Sequence, residues 1–204
     1  MVRVAGKDIA SVDAEKSRRF RAAVARLKRD DDASSTSAST GLAVRRATEA
    51  DIPALCAIHN EGIADRTTMD TVPYSLEQKR EWFRAHGPKE PVLAALNGDD
   101  VVGWISLNRF SPRSSYDHVK DLSIYIRRDW RSRGAGTLLM GAAIDEARRL
   151  GLHKLVLSMV STLKVASKLY RGYGFRKVGV YRRQGKLDGK WVDMVVMERL
   201  LDEP

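Results

Sequence analysis

Apolar side chains recur at every second position of the segment Asp121–Ile126, beginning at Leu122. This period-2 pattern predicts a half-buried β-strand. An almost continuous apolar run over Lys154–Val160 is typical of a strand that is buried on both faces. Similar patterns predict further strands over Leu42–Ala47, Val92–Leu96, Val101–Leu107, Lys177–Arg182 and Trp191–Met197.

Capping residues and helical apolar spacing predict helices between these strands. Thr48–Asp51 followed by Pro53 favours a helix start, and Ser75–Gln78 has the composition of a capping box. Two later helices are expected, over Gly136–Leu150 and Leu163–Tyr170. This order of elements predicts an α/β (α+β) domain, with a mixed, mostly antiparallel central sheet of about seven strands flanked by helices.

The first 41 residues differ in composition from the rest of the chain. Residues 1–32 are basic, and helical apolar spacing predicts an amphipathic helix over Asp13–Arg29. Residues 33–41 are almost all Ser, Thr and Ala, which indicates a flexible linker. We therefore expect an N-terminal extension (1–32), a linker (33–41) and one folded domain (42–204).

The chain has 204 residues, a formal net charge of +10 and a single cysteine, Cys56. One cysteine excludes an internal disulfide and a cysteine-based zinc site, and the four histidines show no metal-ligand spacing. No apolar run has membrane-spanning length and no signal-peptide core is present, so we expect a cytoplasmic protein without a membrane partner. The positive charge suits either nucleic acid or a polyanionic cofactor as a partner. The sequence contains no run of basic residues interleaved with aromatics, which would indicate nucleic acid.

A glycine-rich turn, Arg131–Gly136, separates the strand at Asp121–Ile126 from the following helix. Glycines allow close backbone approach, and the first N–H groups of a helix lack internal partners, so such a turn can cradle phosphate. Two arginines in the turn add forked donors that suit phosphate oxygens. The alternative is a plain chain reversal, and the turn alone does not decide between the two.

Two motifs resemble the GNAT acetyltransferase superfamily. The spacing Arg-x-x-Gly-x-Gly at Arg131–Gly136 is similar to its acyl-CoA pyrophosphate loop, and Leu169–Phe175 looks like its Leu-Tyr-x-x-x-Gly-Phe signature. The likeness covers about Val44–Leu200. It implies the GNAT fold, acetyl-CoA as cosubstrate and no metal.

Shorter segments resemble the phosphinothricin and L-amino acid N-acetyltransferase group: Val44–Asp51, Ile58–Asn60, Tyr116–Asp117 before Asp121, and Lys186–Asp193. This resemblance implies a homodimer that acetylates the primary amine of a small molecule, an amino acid or an amino-acid-like toxin.

Three positions depart from the group's pattern. Asp121 stands where the group has Glu, Leu163 where a cofactor-binding Asn is common, and Val192 where phosphinothricin acetylation uses His. The shorter carboxylate, the missing amide and the missing imidazole leave the fold and the cofactor as expected. They bear on which acceptor the chain uses.

The resemblance also implies the residues that hold acetyl-CoA. The pyrophosphate is expected on Arg131, Ser132, Arg133, Gly134, Ala135, Gly136 and Thr137. The pantetheine arm is expected to pair with the strand backbone at Ile124, Tyr125 and Ile126, as an added strand would. Leu163 is expected beside it.

Acetyl transfer from a thioester to an amine requires a group that takes the amine proton and a group that protonates the departing thiolate. Asp121 is the candidate base, directly or through one water, and a capping or turn-stabilising role is the alternative. Tyr170 is the candidate acid because a phenol can donate to a thiolate, and packing under Phe175 is the alternative.

Two other functions stay open. Acetylation of a protein N-terminus or lysine requires an open peptide groove, whereas the segment Arg109–His118 is long enough to roof a small pocket. His118 either lines that pocket or lies at the surface. A non-catalytic acyl-CoA-binding or nucleic-acid-interacting module is the third hypothesis, although the presence of both Asp121 and Tyr170 argues against it.

Overall fold

The structure, a computed structural model, describes residues 41–201. The predicted helix at Asp13–Arg29 and nearly all of the predicted linker therefore lie outside the described residues. The strands are β1 Leu42–Arg46, β2 Val92–Asn97, β3 Asp100–Arg109, β4 Val119–Ile126, β5 Lys154–Val160, β6 Arg176–Leu187 and β7 Lys190–Leu200. The α-helices are α1 Ile52–Ala64, α2 Leu76–Arg84, α3 Ala135–Arg149 and α4 Lys164–Gly172.

The strands form one seven-stranded sheet in the order β1-β2-β3-β4-β5-β7-β6. Every neighbouring pair is antiparallel except β4 and β5, which run parallel. The predicted fold class is confirmed.

The helix starts follow the predicted capping chemistry. The Ser75 hydroxyl accepts from the backbone N–H of Gln78 at 3.2 Å, and the Gln78 side chain accepts from the Ser75 N–H at 2.9 Å. These bonds satisfy N–H groups that the first turn of α2 leaves without a helical acceptor. Pro53 lies in the first turn of α1, where its missing N–H costs nothing.

Strands β6 and β7 are longer than the apolar pattern predicts. Most of β6 is exposed, so burial does not mark its ends in the sequence. Pairing with β7 defines the strand instead, through a register that reaches Leu187↔Lys190 and includes two irregularities. Gly189 completes the turn between them with a left-handed φ of 76°.

The sheet carries helices on both faces. Leu139, Met140 and Ala143 of α3 are fully buried against one face. On the other face Trp104 is buried with Leu55 of α1, and its indole N–H donates to the Leu55 carbonyl at 3.1 Å. The two clusters make the domain a helix–sheet–helix sandwich.

The parallel pair β4/β5 separates soon after it forms. Pairing extends only over Val119–Asp121 and Lys154–Val156. Beyond it β4 stays paired with β3, up to Gly103↔Ile126, while β5 follows β7, up to Val160↔Met194. A gap therefore opens in the middle of the sheet, where one edge of β4 has no strand partner among residues 41–201.

Within residues 41–201, no helix combines the length and the apolar character that crossing a membrane requires.

Candidate active site

A cavity of about 750 Å³ occupies the gap between β4 and β5. Its walls come from the last residues of β4, the turn before α3, the start of α4 and the loop after α1. Most of the site residues predicted from the sequence line it. The exceptions are Asp121, Arg133 and Ala135.

The turn before α3 forms one end of the cavity. Gly134 is the N-cap of α3 and has a left-handed φ of 91°, a conformation that favours glycine. The N–H groups of Ala135, Gly136 and Thr137 follow at the helix N-terminus, where they have no acceptor in a preceding turn and the helix dipole is positive. This end of the cavity therefore suits the anionic pyrophosphate of a nucleotide cofactor.

The two arginines of the turn have different surroundings. Arg131 lines the cavity, but its guanidinium pairs with Asp65 at 2.6 Å and donates to the carbonyl of Ile126 at 3.2 Å. It ties the turn to the end of α1. Arg133 is exposed, with its Cζ 5.6 Å from the ring of Trp130. An anion on the turn would meet Arg133 as the more accessible of the two charges.

The gap suits an extended chain beside β4. Ile124 pairs with Ile105 and Ile126 with Gly103, so β3 occupies one edge of β4. No strand of the described part of the chain pairs with the opposite edge from Leu122 onward, and that edge faces the cavity. A free backbone edge of this kind can hydrogen-bond to an extended, amide-containing ligand as an added strand would. Leu163, the N-cap of α4, lies on the opposite wall.

Asp121 is the last residue of β4 that pairs with β5, and the cavity lining begins one residue later, at Leu122. Asp121 lies on the same face of β4 as Ser123 and Tyr125, which do line the cavity. Burial raises the pKa of Asp121 to about 6, and a hydrogen bond from the Asn108 side chain acts in the opposite direction. A carboxyl group with this pKa is ionised at neutral pH and still a useful base.

Tyr170 lies in α4 and lines the cavity, with only 7% of its surface exposed. Burial raises its pKa, and the nearby Tyr125 and Asp121 act in the same direction, so the phenol keeps its proton. Its ring centroid lies 6.0 Å from that of Phe175. The ring thus packs near Phe175, as a purely structural role requires. The residue also lines the cavity, as a proton donor to a departing thiolate must.

The roof of the cavity is not where the sequence places it. None of the residues Arg109–His118 lines the cavity, so that expectation is wrong. The Arg109 guanidinium donates to the carbonyls of Ser111 and Pro112 at 3.0 and 2.8 Å. These hydrogen bonds lie within the segment itself. His118 is exposed.

The loop after α1 takes that place. Thr67, Thr68, Met69 and Asp70 line the cavity, and Arg66 pairs with Asp188 of the β6–β7 turn at 2.6 Å. The sequence carries no local signal for this arrangement, because it depends on two residues that lie 122 positions apart.

In the described part of the chain, His, Cys, Asp and Glu side chains form no group that could hold a metal ion.

Comparison with known proteins identifies the domain. The profile of the acetyltransferase (GNAT) family matches residues 57–175. The chain belongs to the GNAT acetyltransferase family. This GNAT enzyme is 33% identical over 162 residues to YwnH of Bacillus subtilis, covering 78% of this chain and 99% of that protein.

It is also 31% identical to an L-methionine sulfoximine/L-methionine sulfone acetyltransferase of Pseudomonas paraeruginosa, over 78% of this chain and 94% of that protein. The structure of yncA from Salmonella typhimurium with its cofactor acetyl-CoA superimposes with a TM-score of 0.76 at 25% identity, covering 80% of this chain and 96% of that one. The predicted family and fold are confirmed, and the protein is an acetyl-CoA-dependent acetyltransferase.

The cofactor loop itself remains a prediction that one substitution tests. Arg133→Glu places an anion beside a diphosphate at a helix N-terminus, so we expect acetyl-CoA affinity to fall roughly tenfold at moderate salt, within the range for charged hydrogen bonds. Titration calorimetry measures the affinity. Arg113→Glu makes the same charge change at an exposed residue outside the cavity and serves as the control. Equal affinities for both variants would contradict the assignment.

Proposed function

We propose that this GNAT acetyltransferase transfers the acetyl group of acetyl-CoA to the primary amine of a small acceptor, an amino acid or an amino-acid-like toxin of the methionine sulfoximine or phosphinothricin type. One observation carries the proposal: a single cavity of about 750 Å³ connects the turn before α3 to the region beneath the loop after α1. This volume lies within the range of small-molecule sites, roughly 300–1,000 Å³. The similarity to an enzyme named for methionine sulfoximine supports the acceptor class.

Within this proposal the chain holds acetyl-CoA at two places, the start of α3 and the free edge of β4. The N-terminal amides of α3 and the exposed Arg133 bind the pyrophosphate. The free edge of β4 at Ile124 and Ile126 binds the pantetheine arm. Acetyl-CoA supplies the activated acetyl group, and the residues of this chain orient it and move protons.

Two side chains carry the protons. Asp121 accepts the proton of the acceptor amine, directly or through a water beside Ser123, because its raised pKa suits a base near neutral pH. Tyr170 donates to the departing sulfur, because its buried phenol is fully protonated.

An acceptor panel tests the proposal. Thiol release from acetyl-CoA is measured with L-methionine sulfoximine, L-methionine sulfone and phosphinothricin, and with peptides that offer an N-terminal alanine or a lysine. We expect turnover with the amino-acid analogues and little with the peptides, with the reaction lacking any acceptor as the blank. Turnover with the peptides alone would support a protein acetyltransferase. Nucleic-acid binding with a steep salt dependence and no acetyl transfer would support the non-catalytic module.

We also propose a homodimer, supported by apolar side chains on the β6–β7 hairpin. Val178, Tyr181 and Trp191 are 58%, 56% and 57% exposed, which is high for large apolar residues on adjacent strands. Light scattering after gel filtration should give about twice the 22.8 kDa chain mass. Trp191→Glu should reduce it to one chain, whereas a wild-type mass of one chain would contradict the dimer.

A cytoplasmic location is part of the same proposal. The lone Cys56 and the use of acetyl-CoA support it. Cell fractionation with an antibody against the chain tests it, and recovery of the protein outside the cytoplasmic fraction would contradict it.

A further inference from the structure

Asp70 is the one carboxylate among the described residues that line the cavity. It lies in the loop after α1, with 40% of its side chain exposed. One oxygen, Oδ2, accepts from His59 Nε2 at 3.1 Å and from the Thr68 hydroxyl at 3.2 Å. These two donors fix the orientation of the carboxylate at the cavity wall.

Neither donor cancels the charge of Asp70. His59 is 5% exposed, and burial together with the positive charge of Lys79 lowers its pKa to about 4. The ring is therefore neutral at physiological pH. Its Nε2 carries the hydrogen because a carboxylate can only accept, which leaves Nδ1 as an acceptor.

Lys79 completes the chain of hydrogen bonds behind Asp70. Its Nζ lies 3.4 Å from His59 Nδ1 and above the rings of Trp82 and Trp104, at 3.6 and 4.1 Å from their centroids. The lysine is 1% exposed, and burial lowers its pKa to about 7. A hydrogen bond from Nζ to Nδ1 selects the imidazole tautomer that donates to Asp70.

Three other buried or partly buried carboxylates of the domain pair directly with cations. Asp51 pairs with Arg45, Glu90 with Lys120, and Glu198 with Lys154. Each of those charges is neutralised directly by a cation of the chain. At Asp70 the direct partners are a neutral ring and a hydroxyl, so its negative charge is available to a ligand in the cavity.

We propose that Asp70 is a specificity-determining residue that binds the ammonium group of the acceptor, and that His59 and Lys79 are positioning residues that hold it in place. The inference rests on the proposed function and deepens it. It assigns the acceptor to primary amines that arrive as cations. It also places the acceptor's nitrogen beneath the loop after α1.

Asp70 and Asp121 then perform separate tasks. A carboxylate beside an ammonium group stabilises the charged form and raises its pKa, so Asp70 favours binding and opposes deprotonation. Asp121 must remove the proton. Besides His59 and Lys79, the titratable groups near Asp70 are the phenols of Tyr74 and Tyr125, which stay neutral over the pH range of the test.

The test compares Asp70→Asn with wild type, using the best amine from the acceptor panel. We expect the acceptor KM to rise roughly 10- to 100-fold, as for loss of a hydrogen-bonded charge pair, while the KM for acetyl-CoA stays within twofold. In an Asp121→Asn background, where activity follows the protonation of the acceptor amine, adding Asp70→Asn should move the rise of kcat to lower pH, because the bound amine loses the charge that stabilised its protonated form. Glu77→Gln removes one exposed charge from α2 outside the cavity and should behave as wild type.

Positioning by His59 has its own readout. His59→Gln retains an N–H donor and should raise the acceptor KM less than His59→Leu, which removes the donor.

An unchanged acceptor KM in Asp70→Asn would overturn the inference. A large fall in kcat at unchanged acceptor KM would also overturn it, since Asp70 would then be the base. If the wild type acetylates no amine of the panel, the proposed function fails together with the inference. Activity in the wild type with no effect at Asp70 rejects the inference alone.

Discussion

Asp121→Asn is expected to lower kcat/KM at pH 7 by roughly 10²-fold or more, the lower end of general-base contributions. Asparagine keeps the size and shape of the side chain but cannot accept the amine proton. Asp121 suits this role because burial at the point where β4 and β5 separate raises its pKa to about 6. The amine of an amino acid is mostly protonated at neutral pH, so a base at this position has a large effect.

The pH dependence of activity should differ between the wild type and Asp121→Asn. In the wild type, activity should rise as the pH passes about 6, because the carboxyl group of Asp121 then becomes the carboxylate that accepts the proton. The Asp121→Asn variant should lack this limb. Its activity should increase with further rise in pH, because more of the acceptor is then already neutral.

Two other substitutions control for structural effects. Asp121→Glu introduces the longer acid that the phosphinothricin acetyltransferase group carries at this position. This variant should retain most of the activity. Asp117→Asn makes the same chemical change at an exposed residue outside the cavity and should leave the pH profile unchanged. Superimposable profiles of wild type and Asp121→Asn would mean that the carboxylate is structural.

The elements that the sequence predicts well depend on local patterns. Alternation along Asp121–Ile126 marks β4, and a capping box marks α2, since each pattern reflects contacts within a few residues. The turn at Arg131–Gly136 is recognisable for the same reason. In contrast, β6 is mostly exposed, so apolar periodicity does not show where it ends.

The acceptor side of the cavity depends on contacts between distant segments. The loop after α1 is held against the β6–β7 turn by Arg66 and Asp188, which no local pattern connects. The burial of Lys79 likewise requires Trp82 of its own helix and Trp104 of β3 to meet over its side chain. A lysine in an amphipathic helix is ordinarily exposed, so composition alone indicates the opposite of what the fold does here.

Tyr170→Phe is expected to lower kcat by roughly 10²-fold, within the range for loss of a general acid. Only the hydroxyl is removed, and the remaining ring still packs near Phe175, so the dissociation constant of acetyl-CoA should stay within about twofold of the wild-type value. Pre-steady-state thiol release measures the chemical step, and calorimetry measures the affinity.

The packing alternative makes the opposite prediction for the same variant. If Tyr170 serves only the core, Tyr170→Phe should change the free energy of unfolding and leave the turnover of folded enzyme as it was. Denaturant unfolding and specific activity, measured on the same preparations, separate the two roles. Tyr116→Phe removes a hydroxyl from a partly exposed ring outside the cavity and should change neither quantity by much. Because the Tyr170 phenol is buried in the cavity wall and fully protonated, we expect the loss to appear in turnover.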